Sequence, residues 1–114
     1  MTLTQDDCKL LTGMIEECWH EIPLEGDYIE ICVHCGKSYA INRTFTVGND
    51  MVAVKEAIEK MGKWDVFYWW SWHKCQRDGT TYVGDDHFVA WLMHPPRFCK
   101  LAARWRRKEK ERAI

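Results

Sequence analysis

At 114 residues and a formal net charge of −1, with 46% hydrophobic residues, the chain has material for one modest core and lacks the charge excess of a disordered or polyelectrolyte segment. No apolar run approaches the roughly 20 residues of a membrane span, and MTLTQDDCKLL lacks the basic start and apolar stretch of a signal peptide. These features predict a globular cytoplasmic protein with no membrane partner, whose six cysteines (8, 18, 32, 35, 75 and 99) are metal ligands or buried thiols and not disulfides.

Thr4 can cap a first helix, with Asp6 and Asp7 in the first turn where negative charge suits the helix dipole. Leu10, Leu11, Met14 and Ile15 give that helix an apolar stripe, and it is predicted to run to about Glu17. The next stretch, CWHEIPLEGDYIEICVHCG, carries the strongest chemical signal in the chain. Cys18 and His20 form a C-x-H pair, and Cys32 and Cys35 form a C-x-x-C pair followed by Gly36. Three thiols and an imidazole in two close pairs are the ligand set and spacing of a structural Zn²⁺ site.

A C-x-x-C turn points two sulfurs at one place, and a glycine just after it supplies the positive φ that such turns often need. Residues two apart project to one side of an extended segment but diverge by about 200° on a helix, so the first helix must have ended by Cys18. His34, inside the C-x-x-C turn, is predicted to point away, and Cys8 is the reserve ligand if His20 is not used. Pro23, Gly26 and Asp27 make a turn, and Tyr28 to Cys32 and Lys37 to Ile41 read as two short strands flanking the knuckle. A hairpin this small is marginal alone, so this region is predicted to loosen without its metal.

Asn42 to Val47 reads as a linker. Asn49 is placed to cap a second helix with Asp50 in its first turn, and Met51, Val54, Ile58 and Met61 fall on its apolar face. Glu56 and Lys60 form an i, i+4 pair outside that face, and Gly62 closes the helix. WDVFYWWSWHKC, from Trp64 to Cys75, fits a helix covered on both sides better than a strand. Its tryptophans suit a core better than a platform for stacking nucleobases, because little positive charge accompanies them.

Asp78 and Gly79 mark a turn. Asp85 or Asp86 can then cap a short helix containing Phe88, Trp91 and Leu92, which Pro95 and Pro96 end. In the last helix Phe98, Leu101, Ala102 and Trp105 make an apolar stripe, after which RRKEKERAI continues as a charged tail. Charge is uneven along the chain. Residues 1 to 60 carry 11 acids and 5 Lys or Arg, whereas residues 61 to 114 carry 6 acids and 11 bases. Such asymmetry marks either an acidic partner for the basic end or pairing between the halves. Arg97, Lys100, Arg104, Arg106, Arg107 and Lys108 are the candidate nucleic-acid contacts.

The fold these elements predict is α+β and mainly helical, with an N-terminal helix and a zinc-bound β-hairpin packed on a bundle of about four helices. Residues 1–43 would form the clip region, 44–105 the helical core and 106–114 a basic tail, in one cooperative domain. An enzyme is not predicted. Zinc held by four protein ligands has no open position, no phosphate-cradling loop or H-E-x-x-H is present, and neither His73 with Cys75 nor His94 with Cys99 is oriented as a base and nucleophile.

The C-W-H and C-x-x-C-G clip, the phrase RTFTVGNDMVAVKEAIEKMGKW and the closing FVAWLMHPPRFCKLAARW together resemble small zinc-binding proteins encoded by bacteriophages, loosely similar to phage ABA-sandwich-like domain proteins. The resemblance runs from Cys18 to Trp105, while the basic ending differs. It implies a phage origin, life in the cytoplasm of a bacterial host, metal ligands at Cys18, His20, Cys32 and Cys35, and no catalytic residues. Two functions are then open. One is an interaction protein that binds and modulates or inhibits a host protein, with counter-defence as one such role. The alternative is a nucleic-acid-binding accessory protein that uses the basic last helix.

Overall fold

Thr4 and Asp7 start the first helix, α1 (Gln5–Met14), by exchanging bonds. The Asp7 N–H donates to Thr4 Oγ1 at 3.1 Å, and the Thr4 N–H donates to Asp7 Oδ2 at 2.9 Å. This reciprocal cap satisfies two N–H groups that an open helix end leaves bare. A computed structural model describes residues 3–21, 31–37, 41–77 and 85–112, and within them four further helices follow. They are α2 (Gly48–Lys60), α3 (Trp64–Arg77), α4 (Asp85–Leu92) and α5 (Pro95–Arg112).

Two helices end in the same motif built on different residues. At the end of α1 the Glu16 N–H donates to Gly13 O and the Glu17 N–H to Thr12 O, with Glu16 at φ 62°. At the end of α2 the Gly62 N–H donates to Glu59 O and the Lys63 N–H to Ile58 O, with Gly62 at φ 72°. Both are Schellman caps, which need one residue in the left-handed region. Glycine enters that region freely, whereas the Cβ of Glu16 is crowded there. The first helix therefore stops at Met14, three residues short of the expected Glu17.

The second helix also starts differently from the expectation. Its cap is Val47, with no side-chain bond, and Asn49 lies inside the first turn. Asp50 supplies the missing acceptor for the turn before it, since its Oδ2 takes the N–H of Phe45 at 3.0 Å. Phe45 is fully buried at φ 59°, so residues 42–47 are a packed turn and not a linker. The expected Glu56–Lys60 pair is replaced: Lys55 reaches Glu59 at 2.9 Å, and Lys60 crosses to Glu16 at 3.5 Å.

Helix α5 lies at the centre of the packing, with α1, α2 and α3 all against it and α4 against α3. Phe98, Leu101, Ala102 and Trp105 are buried on α5, as are Leu11 on α1, Val54 and Ile58 on α2, Phe67 on α3, and Phe88 and Leu92 on α4. Phe67 sits edge-on to both Phe98 (5.3 Å between centroids) and Trp105 (5.5 Å), locking α3 to α5. Each large apolar side chain withdrawn from water contributes about 1.5–3 kcal/mol, and this shared cluster holds the helices together.

Charge pairing follows the same contacts. Asp7 is fully buried and receives Lys100 at 2.5 Å on one oxygen and Arg107 on the other, while Lys63 pairs with Glu109 at 2.7 Å. Burial opposes ionisation of Asp7, but Lys100, the Thr4 N–H and Arg107 outweigh it and hold the carboxyl well below its ordinary value. Part of the excess base of the C-terminal half is thus consumed inside the molecule.

The expected α+β class is not what forms. The described residues are helices and connections, with no sheet. Of the two strands predicted around the knuckle, Tyr28 to Glu30 and Ser38 to Ala40 lie outside the described residues. Ile31 makes a single bridge and Cys32, Lys37 and Ile41 belong to no strand. The physical reason is that the backbone at Cys32 is used to close a tight turn: the Gly36 N–H donates to Cys32 O at 2.9 Å and the Cys32 N–H to Lys37 O at 3.1 Å. The region expected to be a tail is also ordered differently, since α5 continues through Arg112. The turn expected at Asp78 and Gly79 lies outside the described residues.

Candidate metal centre

With α1 ended at Met14, residues 17–21 leave the helix end without regular structure and carry Cys18 and His20 toward the knuckle. Two contacts fix their course. Asn42 clasps the His20 backbone, its Oδ1 accepting from His20 N–H at 2.7 Å and its Nδ2 donating to His20 O at 3.0 Å. Next to it Arg43 forks onto Glu17 (2.8 and 2.7 Å) and reaches Asp50 at 3.0 Å. The bonds from Arg43 hold the Glu17 carboxyl below its ordinary value.

On the other side, the turn from Cys32 to Gly36 presents two sulfurs. Gly36 has φ 73°, as a glycine after a C-x-x-C pair is placed to do. Val33 N–H donates to Glu21 O at 3.0 Å, which ties the turn to the segment holding His20. Among the described residues, Cys18, His20, Cys32 and Cys35 form the one group able to hold a metal, with their donor atoms all within 4.8 Å of one another.

The separations can be tested against coordination geometry. A tetrahedral Zn²⁺ with Zn–S near 2.3 Å and Zn–N near 2.05 Å requires S···S edges of about 3.8 Å and S···N edges of about 3.6 Å. Cys18 Sγ lies 3.9 Å from Cys32 Sγ, and Cys35 Sγ lies 3.4 Å from His20 Nδ1. Two opposite edges of the tetrahedron are therefore already at coordination length, and a contraction of about 1 Å closes the longest separation. Three soft sulfurs and an imidazole nitrogen in this arrangement fit zinc better than the oxygen-seeking cations.

The knuckle also prepares its sulfurs electrostatically. Burial acts to raise the Cys32 thiol, but the backbone N–H groups of Cys35, His34 and Glu21, with the His20 side chain, outweigh it and bring the thiol down to about 5. The His34 N–H lies 3.4 Å from Cys32 Sγ. Cys18 moves the other way, up to about 11, through desolvation and its bonds to Cys35 and Cys32, because two neighbouring thiolates repel. A divalent ion held by these residues would remove that conflict by neutralising the sulfurs together.

The residues outside this group fall where their chemistry predicts or fail to converge. His34 turns to Glu21, with Nε2 at 3.4 Å from Oε2. Cys8, the reserve ligand, lies on α1 and points its sulfur at Thr44 O, 3.7 Å away. Cys99 is buried on α5, where burial pushes its thiol up to about 12. Of the tryptophans on α3, Trp64, Trp70 and Trp72 pack against the core, and Trp69 alone is more than half exposed.

The six candidate nucleic-acid contacts do not form a common patch. Lys100 and Arg107 turn inward to Asp7, and Arg97 donates to Trp91 O at 2.8 Å with its guanidinium 4.8 Å over the Trp91 ring. Lys108 is exposed beside Glu111, at 3.7 Å, leaving exposed Arg104 and half-buried Arg106 as cations that pair with no described residue. Sequence reasoning missed Asn42 and Arg43, which brace the ligand segment. No spacing signal marks a residue whose role is to hold another residue's backbone. Among the described residues, no helix is long and apolar enough to cross a membrane. No protein-family model, curated protein or solved structure matches the chain.

Proposed function

We propose that the chain is a small zinc-stabilised interaction protein, and that its work is to bind and modulate or inhibit a host protein in the bacterial cytoplasm, in keeping with the phage resemblance of its sequence. The observation that carries the metal half of this reading is the convergence of Cys18, His20, Cys32 and Cys35 within 4.8 Å. A Cys₃His set fills all four positions around zinc, so the ion would hold shape and would have no place for substrate or water. Binding, not turnover, is then the activity such a scaffold offers.

The test is native mass spectrometry of the purified chain before and after chelation, with cobalt substitution as a second readout. One bound zinc per chain, lost on chelation, and intense thiolate-to-cobalt absorption are the expected results. A chain that folds metal-free and takes up no cobalt would overturn the zinc site. Affinity capture from host lysate, with and without chelator, tests the partner.

The nucleic-acid alternative rests on Arg104 and Arg106, with Lys108 held only by a loose, exposed 3.7 Å contact with Glu111, since the other three candidates are engaged by protein groups. Three cations give a weak, strongly salt-dependent contact at most. The interaction reading is therefore preferred.

A further inference from the structure

Between the end of α1 and the outer face of α2 lies a groove of about 530 Å³, lined by Met14, Ile15, Ala53, Ala57 and Met61, with Glu16, Glu17, Glu56, Arg43 and Lys60 around them. We propose that this groove is the docking surface of the interaction protein, and that its occupant is a basic amphipathic helix of the partner, with one or two aliphatic anchors on its apolar side. The proposal rests on the interaction reading above and adds the surface and the chemistry of the partner.

Charge complementarity chooses the occupant. Arg43 is committed within the protein, held by Glu17 and Asp50. Glu56 pairs with no described residue, and Glu16 has only a loose 3.5 Å contact with Lys60 in which both side chains are more than three-quarters exposed. The acids around the groove outnumber the bases three to two, and with Glu17 and Arg43 paired, the free charges are Glu16, Glu56 and an equally exposed Lys60, which leaves the rim one net negative charge. The floor supplies the apolar part. Met14 and Met61 are unbranched and adapt to the shape of an incoming side chain, while Ala53 and Ala57, four apart on α2, let a second helix approach closely.

Glu16 carries a further sign. The chain ends α2 with glycine in the left-handed position and ends α1, by the same pair of hydrogen bonds, with glutamate there. Glycine would adopt the conformation without strain. What glutamate adds is a carboxylate at the lip of the groove.

The groove is also coupled to the clip. Glu17 and Arg43 form its wall, Cys18 follows Glu17 directly, and Asn42, which clasps the ligand residue His20, precedes Arg43. Metal binding would set the separation of residues 17–21 and 41–43, and with it the wall.

The test uses the zinc-loaded full chain and two probe peptides of about 14 residues, one of leucine and lysine at amphipathic helical spacing and one of leucine and glutamate in the same pattern. Methionine methyl NMR reports the site. The lysine peptide is expected to shift Met14 and Met61 and leave Met93 unmoved, and the glutamate peptide to do neither. Glu56→Lys is expected to weaken the lysine peptide about tenfold, since reversing a charge at the rim turns attraction into repulsion. Glu16→Gly is expected to weaken it about threefold while raising the thermal midpoint, a combination that a purely structural Glu16 would not give.

Equal binding of both peptides, shifts confined to other surfaces, or Glu16→Gly leaving affinity unchanged would each overturn the groove. So would methyl shifts at Met14 and Met61 that track protein concentration without peptide, which would assign the groove to a second copy. A captured host protein whose binding is indifferent to Glu56→Lys would sink the groove and leave the interaction reading standing. Capture of none would count against that reading itself.

Discussion

The helical body buries Leu11, Phe45, Val54, Ile58, Phe67, Phe98, Leu101 and Trp105, whereas in the clip, residues 17–21 and 31–37, Cys32 alone is buried. Ile31 and Val33 in the clip and Ile41 just after it are apolar yet 41%, 60% and 88% exposed. The body can therefore be held by withdrawal of apolar surface from water, whereas among the described clip residues Cys32 alone is fully withdrawn. The clip has instead four ligand atoms, a few backbone bonds and the Asn42 and Arg43 braces. With an ion in the site the chain would combine two sources of order, and the segments they act on are contiguous at Met14 to Glu17.

Removing the ion should separate the two most sharply. Apparent zinc affinities in small clips correspond to about 10–16 kcal/mol, far above what the polar contacts described for residues 17–21 and 31–37 can supply. With chelator, or in Cys32→Ser, we expect helical circular dichroism to stay nearly constant while amide exchange in 17–21, 31–37 and 41–43 rises on the order of 100-fold or more. A chelated protein with unchanged exchange there would mean that the clip is held by something other than coordination.

The reciprocal lesion is Trp105→Ala. Emptying the site of a fully buried tryptophan between α3 and α5 should cost about 3–5 kcal/mol in denaturant unfolding while the folded fraction still binds one zinc. Loss of zinc in parallel would show that the regions unfold as one unit and would erase the distinction.

Asp7 offers a comparison by pH. Its folded value lies below its ordinary 3.8, so the stability it supplies is complete above that value and is lost as pH falls below it. We expect the thermal midpoint of chelated protein to fall as pH drops from 5 toward 2, and Asp7→Asn to flatten that slope. The same change should lower stability at pH 7 by about 3 kcal/mol, the low end for a broken buried pair, because Arg107 is partly exposed and can rehydrate.

The convergence of Cys18, His20, Cys32 and Cys35 was legible because metal chemistry favours short spacings, and C-x-H and C-x-x-C-G stand in the sequence as adjacent letters. Helix faces were legible for the same kind of reason, as Val54 and Ile58 or Leu101 and Trp105 recur at helical period. What was not legible depends on distant partners. Nothing local to Arg107 or Lys100 shows that both belong to Asp7 at the other end of the chain, so they read as free cations. Nothing in Phe45 announces a buried aromatic at positive φ, because Asp50 and the core impose it. The hairpin expectation failed at the knuckle, where alternating β-branched and aromatic residues suggested strands while the turn hydrogen bonds of Cys32 decided otherwise.

Two glycines allow the smallest and cleanest comparison. Gly36 in the clip and Gly62 in the body have φ 73° and 72°, and a Cβ built on either would meet nothing within 4 Å. Alanine at each position thus imposes the same backbone strain, about 1–2 kcal/mol, with no clash to confuse it. If order in the two regions has different sources, the same perturbation must appear in different observables. Gly62→Ala should lower the thermal midpoint and leave zinc affinity unchanged. Gly36→Ala should weaken zinc about tenfold, the equivalent of about 1.4 kcal/mol, and leave the midpoint of chelated protein where it was. Competition with a chromophoric chelator measures the first quantity and calorimetry the second, and a midpoint shift from both substitutions in chelated protein would place Gly36 within the body's own cooperative unit.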